Sequence, residues 1–122
     1  MTSAALLRAE TIASVLKACR FRFSNEAQLQ QAIEQALHAR GILARREAVL
    51  APGDRVDFVA DGDIAVEVKI KGAFTDVAEQ LQRYAASPSI ACVLLATTRR
   101  QLLAMPETFH NKPVRCVLLK AA

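Results

Sequence analysis

Three charged side chains on two neighbouring segments have the types and spacing that suit metal-dependent hydrolysis of a phosphodiester. Asp57 lies in the largely apolar run 55–60, and Glu67 and Lys69 lie in the run 64–70 with one residue between them. Mg²⁺ and Mn²⁺ prefer carboxylate oxygens as ligands, and a neighbouring lysine orients a nucleophile or stabilises negative charge. The alternative is a solvated polar face on an edge hairpin, where Glu67 and Lys69 simply alternate outward.

The register of the predicted hairpin decides whether the two acids meet. A turn at residues 61–63, Asp-Gly-Asp, places Ala60 opposite Ile64 and therefore Asp57 opposite Glu67. The same register pairs apolar residues on the other face, namely Val56 with Val68 and Phe58 with Val66. Facing carboxylates repel each other across a sheet. A divalent cation held between them would remove this repulsion.

Two predicted helices offer further candidates. Glu26 shares a helical stripe with the apolar residues Leu29, Ile33 and Leu37, although a favourable interaction with the helix dipole explains a first-turn acid equally well. Gln80 and Tyr84 are four residues apart, where an amide and a phenol can bind a metal-bound water or a phosphate. Tyr84 as a core residue with an exposed hydroxyl is the alternative. Whether the Glu47 side chain lies on the same face as the acids of the hairpin depends on the length of the turn at residues 52–54.

Apolar periodicity predicts the elements that must position these residues. Helices are expected over 4–19, 25–41 and 74–86, with a short helix over 99–104. Strands are expected over 43–50, 55–60, 64–70, 90–96 and 114–119. An antiparallel meander followed by a crossover helix and another strand predicts an α/β fold, with a mixed sheet of the α+β kind flanked by helices.

Size and composition restrict the class of protein. The 122 residues suffice for a single domain, and no apolar run approaches the ~20 residues that cross a bilayer. The three cysteines are widely spaced among apolar neighbours, which predicts buried free thiols and a cytoplasmic location. The net charge of +4 suits a polyanionic partner, and basic residues lie around the acidic hairpin: Arg45, Arg46, Arg55, Lys69, Lys71 and Arg83.

These residues resemble the PD-(D/E)XK nuclease superfamily, which has the restriction-endonuclease-like fold. Its motif is an acid on one strand and Glu-x-Lys on the next, here Asp57 and Glu67-Val68-Lys69. The order of elements over residues 25–96 is similar to the family's αβββαβ core. The Gln-x-x-x-Tyr run at 80–84 looks like the signature of recombination-type exonuclease members. Val56 stands where the family motif has proline, and the single domain 1–122 would carry residues 1–22 as a helical extension.

The resemblance implies a set of residue roles. Asp57, Glu67 and the carbonyl of Val68 would bind Mg²⁺ or Mn²⁺, with Glu26 assisting directly or through water. Lys69 would position the attacking water, and Gln80 would join these residues in catalysis. The nucleic-acid contacts would come from Arg45, Arg46, Arg55, Lys71, Arg83 and Tyr84.

The implied activity is that of a structure-directed DNA nuclease. Junction resolvases and small repair or phage-type nucleases of this fold are the nearest comparison, and those act as homodimers. Helix 4–19 is a candidate dimer interface, and no membrane association is expected. The alternatives are a catalytically silent module that binds nucleic acid or protein, and an enzyme of the same fold that cleaves RNA.

Overall fold

A computed structural model describes residues 3–122 of the chain. The helices within this range are α1 (Ala4–Ala18), α2 (Glu26–Ala39) and α3 (Phe74–Ala85), with a 3-10 helix at Arg100–Ala104. The strands are β1 (Arg20–Phe21), β2 (Ala44–Ala51), β3 (Asp54–Ala60), β4 (Ile64–Lys69), β5 (Cys92–Thr97), β6 (Thr108–Phe109), β7 (Lys112–Leu118) and β8 (Lys120–Ala121).

Six of the strands form one mixed sheet in the order β2-β3-β4-β5-β7-β6. Strands β2, β3 and β4 are an antiparallel meander, and β4, β5 and β7 run parallel to one another. Helix α3 supplies the crossover between β4 and β5, as parallel neighbours require. The predicted α/β fold with a mixed sheet is therefore confirmed.

Helices cover both faces of this sheet. One apolar cluster joins α1 and α2 to the sheet through residues such as Leu16, Leu29 and Leu94. A second cluster joins α3 and the 3-10 helix to the opposite face through Leu81 and Leu95, among others. Strand β5 contributes to both clusters, and all of its residues are buried, as its continuous apolar run predicts.

Helix α1 is a core element of the domain. Ile12 and Leu16 are fully buried, and the helix packs on β5, β7 and α2. Its Arg8 guanidinium donates to both carboxylate oxygens of Asp63, at 2.7 and 3.0 Å, in the turn between β3 and β4. Helix α1 therefore belongs to the hydrophobic core of the domain, whereas its expected place outside the family core, as an extension over residues 1–22, stays a prediction. Residues 1 and 2 lie outside the described range.

Three two-residue strands have no counterpart in the sequence-based expectation. Strands β1 and β8 pair in parallel and so join the end of α1 to the end of the chain. Strand β6 pairs with the start of β7 through a turn at His110 and Asn111, whose φ angles of 51° and 62° are those of a tight hairpin. Elements this short have no detectable periodicity, because their pairing arises from tertiary contacts.

Two other expectations concern membrane-spanning segments and the cysteines. Among residues 3–122, no helix combines the length and the apolar character needed to cross a membrane. The three cysteines are free. Cys92 is buried as predicted, whereas Cys19 and Cys116 are partly exposed.

Truncation of the α1 core face should destabilise the whole domain. Leu16→Ala removes a fully buried side chain and should lower the free energy of unfolding by about 2–5 kcal/mol. The matched control Leu7→Ala, on the same helix and 54% exposed, should change it by about 0.5 kcal/mol or less. Urea denaturation followed by circular dichroism measures both. Equal effects of the two substitutions would show that α1 is not part of the core.

Candidate active site

The β3–β4 ladder opens at the two acids. Backbone pairing holds Phe58 opposite Val66 and Ala60 opposite Ile64, which confirms the predicted register. Beyond Phe58 the strands separate, and the carboxylates bind backbone N–H groups in place of the ladder. The Val68 N–H donates to Asp57 Oδ2 at 2.7 Å, and the Asp57 N–H donates to Glu67 Oε1 at 3.2 Å. Each carboxylate therefore uses one of its two oxygens to accept a backbone N–H.

The side chains of β3 change from one face of the sheet to the other at this opening. Val56 packs in the cluster beneath α3, whereas Phe58 packs in the cluster beneath α1 and α2. The prediction that Val56 and Phe58 share one apolar face is therefore wrong. On the neighbouring strand, Glu47 has a φ of 52° between the pairs that Arg46 and Ala48 make with β3. This left-handed residue interrupts the β2–β3 ladder opposite Asp57 without a change of register, because Arg46 pairs with Phe58 and Ala48 with Val56.

The pair consists of a buried acid, Glu67, and a half-buried acid, Asp57, with the cations Lys69 and Arg46 close by. Glu67 is 2% exposed, and its Oε2 lies 3.3 Å from the Nζ of Lys69. Burial, reinforced by the charge of Asp57, raises the pKa of Glu67 to about 7, although Lys69 opposes the shift. Burial also raises the pKa of Asp57, against the Val68 N–H and Lys69. Without a cation, this site retains a proton close to neutral pH.

Glu26 approaches the opening from the other face of the sheet. Asn25 caps α2 by accepting the Gln28 N–H at 2.8 Å, which places Glu26 in the first turn. Burial raises the pKa of Glu26; Lys69 opposes this shift, and the charge of Asp57 adds to it. Glu26 is thus within electrostatic reach of the pair. However, residues 3–122 contain no group of three His, Cys, Asp or Glu side chains able to hold a metal ion.

Gln80 and Tyr84 support the start of β3. The Gln80 amide donates to the Tyr84 hydroxyl at 2.8 Å, and that hydroxyl donates to the Arg55 carbonyl at 2.9 Å. Tyr84 is 1% exposed, and burial, followed by the charge of Glu67, raises its pKa. The expectation that Tyr84 contacts a nucleic acid is wrong, because this phenol has no accessible surface. Gln80 binds the phenol and not a carboxylate of the hairpin.

The predicted basic residues divide into two groups. Arg46 packs against α2, where it donates to Gln30 Oε1 at 3.0 Å and lies 5.9 Å from the centre of the Phe58 ring. Arg46 therefore makes structural contacts, while 31% of its side chain stays exposed. The other members are exposed, on β2, on β3, after β4 and on α3 respectively: Arg45, Arg55, Lys71 and Arg83. Arg83 also donates to Asp54 Oδ1 at 2.9 Å.

Sequence reasoning missed the residue that fixes the end of β4. Thr97 is fully buried, and its hydroxyl donates to the Lys69 carbonyl at 2.7 Å while accepting the Arg99 N–H at 3.0 Å. It therefore holds the backbone directly behind Lys69. The available signal was a polar residue at the end of the otherwise apolar run of β5.

Comparison with known proteins identifies no relative of this chain. No known protein family, curated protein or solved structure matches this chain. The site is therefore interpreted from its own geometry and from the resemblance of its motif.

The buried acid pair should make the stability of the metal-free protein fall as the pH rises. Glu67 keeps its proton to about pH 7 when folded, whereas in the unfolded chain it loses the proton near its ordinary value of 4.5. This difference costs about 3 kcal/mol of stability between those pH values. In EDTA, Glu67→Gln should flatten this part of the pH profile and be more stable than the wild type at pH 8. Chemical denaturation across the pH series measures the effect.

Two variants serve as comparisons in the same series. Asp57→Asn should also stabilise the metal-free protein at pH 8, because the amide oxygen still accepts the Val68 N–H without the facing charge. Glu79→Gln, at an exposed position of α3, should leave the profile unchanged. A loss of stability in both site variants at pH 8 would contradict the repulsion inferred between the acids.

Proposed function

We propose that this protein is a metal-dependent nuclease that hydrolyses DNA phosphodiester bonds. The observation that carries the proposal is the open end of the β3–β4 hairpin, where Asp57 and Glu67 face each other and Lys69 Nζ lies 3.3 Å from Glu67. A buried Glu67 beside a half-buried Asp57, with the pKa values of both raised, is unfavourable as a structural element. Such pairs are typical of functional sites.

The donor set fits Mg²⁺ or Mn²⁺. Asp57 Oδ1 and Glu67 Oε2 are the carboxylate oxygens that do not bind the β3–β4 backbone. In an extended strand the N–H and C=O of one residue point toward the same neighbouring strand. Since the Val68 N–H points into the opening, its carbonyl does too. Mg²⁺ binds through one or two carboxylates and keeps several waters, so two acids and a carbonyl suffice without Glu26 as a direct ligand.

Each residue of the site has a role that follows from its position. A bound metal would lower the pKa of water and offset negative charge on the phosphate. Lys69, held by Thr97 behind its carbonyl, would orient the attacking water and stabilise charge on the phosphate. Gln80 and Tyr84 position β3 through the Arg55 carbonyl and are positioning residues. Glu26 would bind a water that fills the remaining coordination.

The exposed basic residues support a polyanionic substrate. Arg45 on β2, Arg55 on β3, Arg83 on α3 and Lys71 after β4 are all open to solvent, and Lys71 is close enough to the opening to act on Glu26. Basic residues around a site attract the phosphate backbone without reading its sequence. This favours recognition of nucleic-acid shape over sequence, as the resemblance to structure-directed nucleases implies.

Metal binding should be measurable without any substrate. At a hundredfold excess over its dissociation constant, Mg²⁺ should raise the free energy of unfolding by about 3 kcal/mol. Mn²⁺ should act similarly, and Glu67→Gln should abolish the stabilisation, because a neutral amide is a poor ligand. Denaturant titrations and isothermal titration calorimetry report this binding, with Glu79→Gln as the control. If Mg²⁺ stabilised Glu67→Gln as much as the wild type, the metal would have to bind at another site.

Cleavage should require the metal, both acids and the lysine. With Mg²⁺ or Mn²⁺, the protein should cut branched DNA to products with 5′-phosphate and 3′-hydroxyl ends. Glu67→Gln and Lys69→Ala should each reduce the rate by about 10²-fold or more, whereas Glu79→Gln should match the wild type. Denaturing gels of labelled branched, linear and single-stranded DNA, and of matched RNA, measure the reaction.

The same gels distinguish the alternatives. Cleavage in EDTA, or full activity of Glu67→Gln, would contradict the proposed mechanism. Binding of DNA without cleavage in either metal would identify a binding module, and selective cutting of RNA would change the substrate class.

A further inference from the structure

Two cationic residues are paired directly across the short β1–β8 sheet. Arg20 on β1 is the parallel partner of Lys120 on β8. Residues in register on neighbouring strands direct their side chains to the same face, where like charges repel each other. Both side chains are exposed, and neither takes part in an ion pair among residues 3–122. The repulsion between them is therefore not offset by any ion pair in the described part of the chain.

Two further exposed cations lie beside this pair. Lys17, in the last turn of α1, lines the same groove along β7 as Lys120. Arg22 follows β1, and the buried Phe21 between Arg20 and Arg22 anchors the backbone that carries both arginines. A favourable interaction with the helix dipole would explain Lys17 alone. It does not explain why three separate segments bring cations to one place.

The acids of that groove lie toward its other end. Glu10 precedes Lys17 by seven residues, which is about 10 Å along a helix. The Glu107 carbonyl accepts the Val114 N–H at the start of β7, whereas Lys120 follows the end of β7. The surface at the carboxyl end of β7 is therefore positive.

This positive surface lies at the same end of the sheet as the candidate active site. Through β5, the end of β4 at Lys69 is level with Leu118 of β7, and Lys120 comes two residues later. Strands are about 4.8 Å apart, so β7 lies about 10 Å from β4. On the side of α2, Arg22 precedes Glu26 by four residues, which span at most about 14 Å. One extended ligand can therefore contact both regions.

We propose that Lys17, Arg20, Arg22 and Lys120, the basic cluster, bind the sugar–phosphate backbone of the nucleic acid that is cut at the candidate active site. The proposal rests on the proposed nuclease function and adds the place where the substrate lies beyond the opening. A phosphate bound between Arg20 and Lys120 would remove their repulsion. None of the residues to which the resemblance assigns nucleic-acid contacts belongs to this cluster, and α1, β1 and β8 lie outside residues 25–96.

The spacing also predicts which phosphates the basic cluster contacts. Neighbouring phosphates of one DNA strand are about 3.4 Å apart along the helix axis. A separation of about 10 Å between β4 and β7 therefore corresponds to about three nucleotides. The basic cluster would bind the backbone at about this distance or farther from the bond that is cut.

The surroundings of the basic cluster favour a nucleic acid over a lipid surface. Binding to anionic lipids is strengthened by apolar side chains that enter the membrane beside the cations. The exposed large apolar residue nearest to Lys17 along α1 is Leu7, ten residues away, which is about 15 Å of helix. The cations are thus displayed without an adjacent apolar anchor.

Charge removal tests the contact without any cleavage. In EDTA, Arg20→Gln/Lys120→Gln should bind labelled branched or linear DNA about tenfold more weakly than the wild type. The slope of log K against log salt should fall in magnitude by about 2, because each phosphate contact contributes about 0.9. Arg40→Gln removes one exposed charge at the other end of α2, about 21 Å from Glu26, and should bind like the wild type. Fluorescence anisotropy over a salt series measures all three proteins.

Charge reversal separates a binding role from a structural one. Lys120→Glu places opposite charges in register with Arg20, so the denaturation midpoint should rise while the affinity for DNA falls. A purely structural role would change the midpoint without changing the affinity. Wild-type affinity and salt slope in both Lys120→Glu and the double variant would overturn the proposal.

Cleavage kinetics test the location of the basic cluster relative to the cut. With Mg²⁺, the double variant should raise KM about tenfold and leave kcat unchanged, because these residues do not touch the reacting atoms. DNA shortened to two nucleotides on the correct side of the cut should abolish this difference, so each side is shortened in turn. A difference in KM that persists on both shortened substrates would overturn the proposed location.

The two proposals fail in different ways. Loss of DNA binding in the double variant of a protein that cuts no DNA would support the backbone contact and contradict the nuclease function. Metal-dependent cleavage with unchanged KM and unchanged DNA binding in the double variant would support the nuclease function and overturn the role of the basic cluster.

Discussion

The need of every buried backbone N–H for an acceptor governs the centre of this domain. Where β3 and β4 separate, the acceptors are the side chains of Asp57 and Glu67, which replace the missing ladder with bonds of 2.7 and 3.2 Å. The separation of β3 and β4 therefore leaves few backbone groups without a hydrogen-bond partner. It also fixes the direction of each carboxylate, because one oxygen is held by the backbone, while the second oxygen of Glu67 lies 3.3 Å from Lys69 Nζ.

The surrounding elements hold this opening in place. Tyr84 fixes β3 at the Arg55 carbonyl, and Thr97 fixes β4 at the Lys69 carbonyl, so both strands are tied just outside the two acids. Burial makes the acids costly to ionise, and Lys69 offsets only part of that cost. A site organised in this way would need little rearrangement to receive the cation that we propose.

The sheet separates this site from its open edge. Strand β5 is buried on both faces and lies between the acidic opening and β7. One side of the sheet thus carries the carboxylates of Asp57 and Glu67, and the other carries backbone groups of Cys116 and Leu118 that no strand among the described residues pairs. Helix α1 connects the two regions, because Arg8 binds the β3–β4 turn while Glu10 and Lys17 line the groove at β7.

Local patterns predicted the elements well where a periodic apolar run was long enough to carry information. Helices α2 and α3 and strand β5 were found close to their expected positions, because each buries a regular stripe or a continuous run. The two-residue strands were not predicted, and neither was the role of α1 in the core. Strand pairing at β1 and β8 joins residues a hundred positions apart, which no local window contains.

The sequence by itself determined that Asp57 and Glu67 would meet, because a three-residue turn and a period of two leave one register. Only the tertiary structure decided how they meet. The left-handed conformation of Glu47, the change of face between Val56 and Phe58, and the burial of Tyr84 depend on packing against both helical layers. Spacing along a chain specifies which residues can be neighbours, whereas burial and backbone distortion arise from contacts between distant elements and set the chemistry of those neighbours.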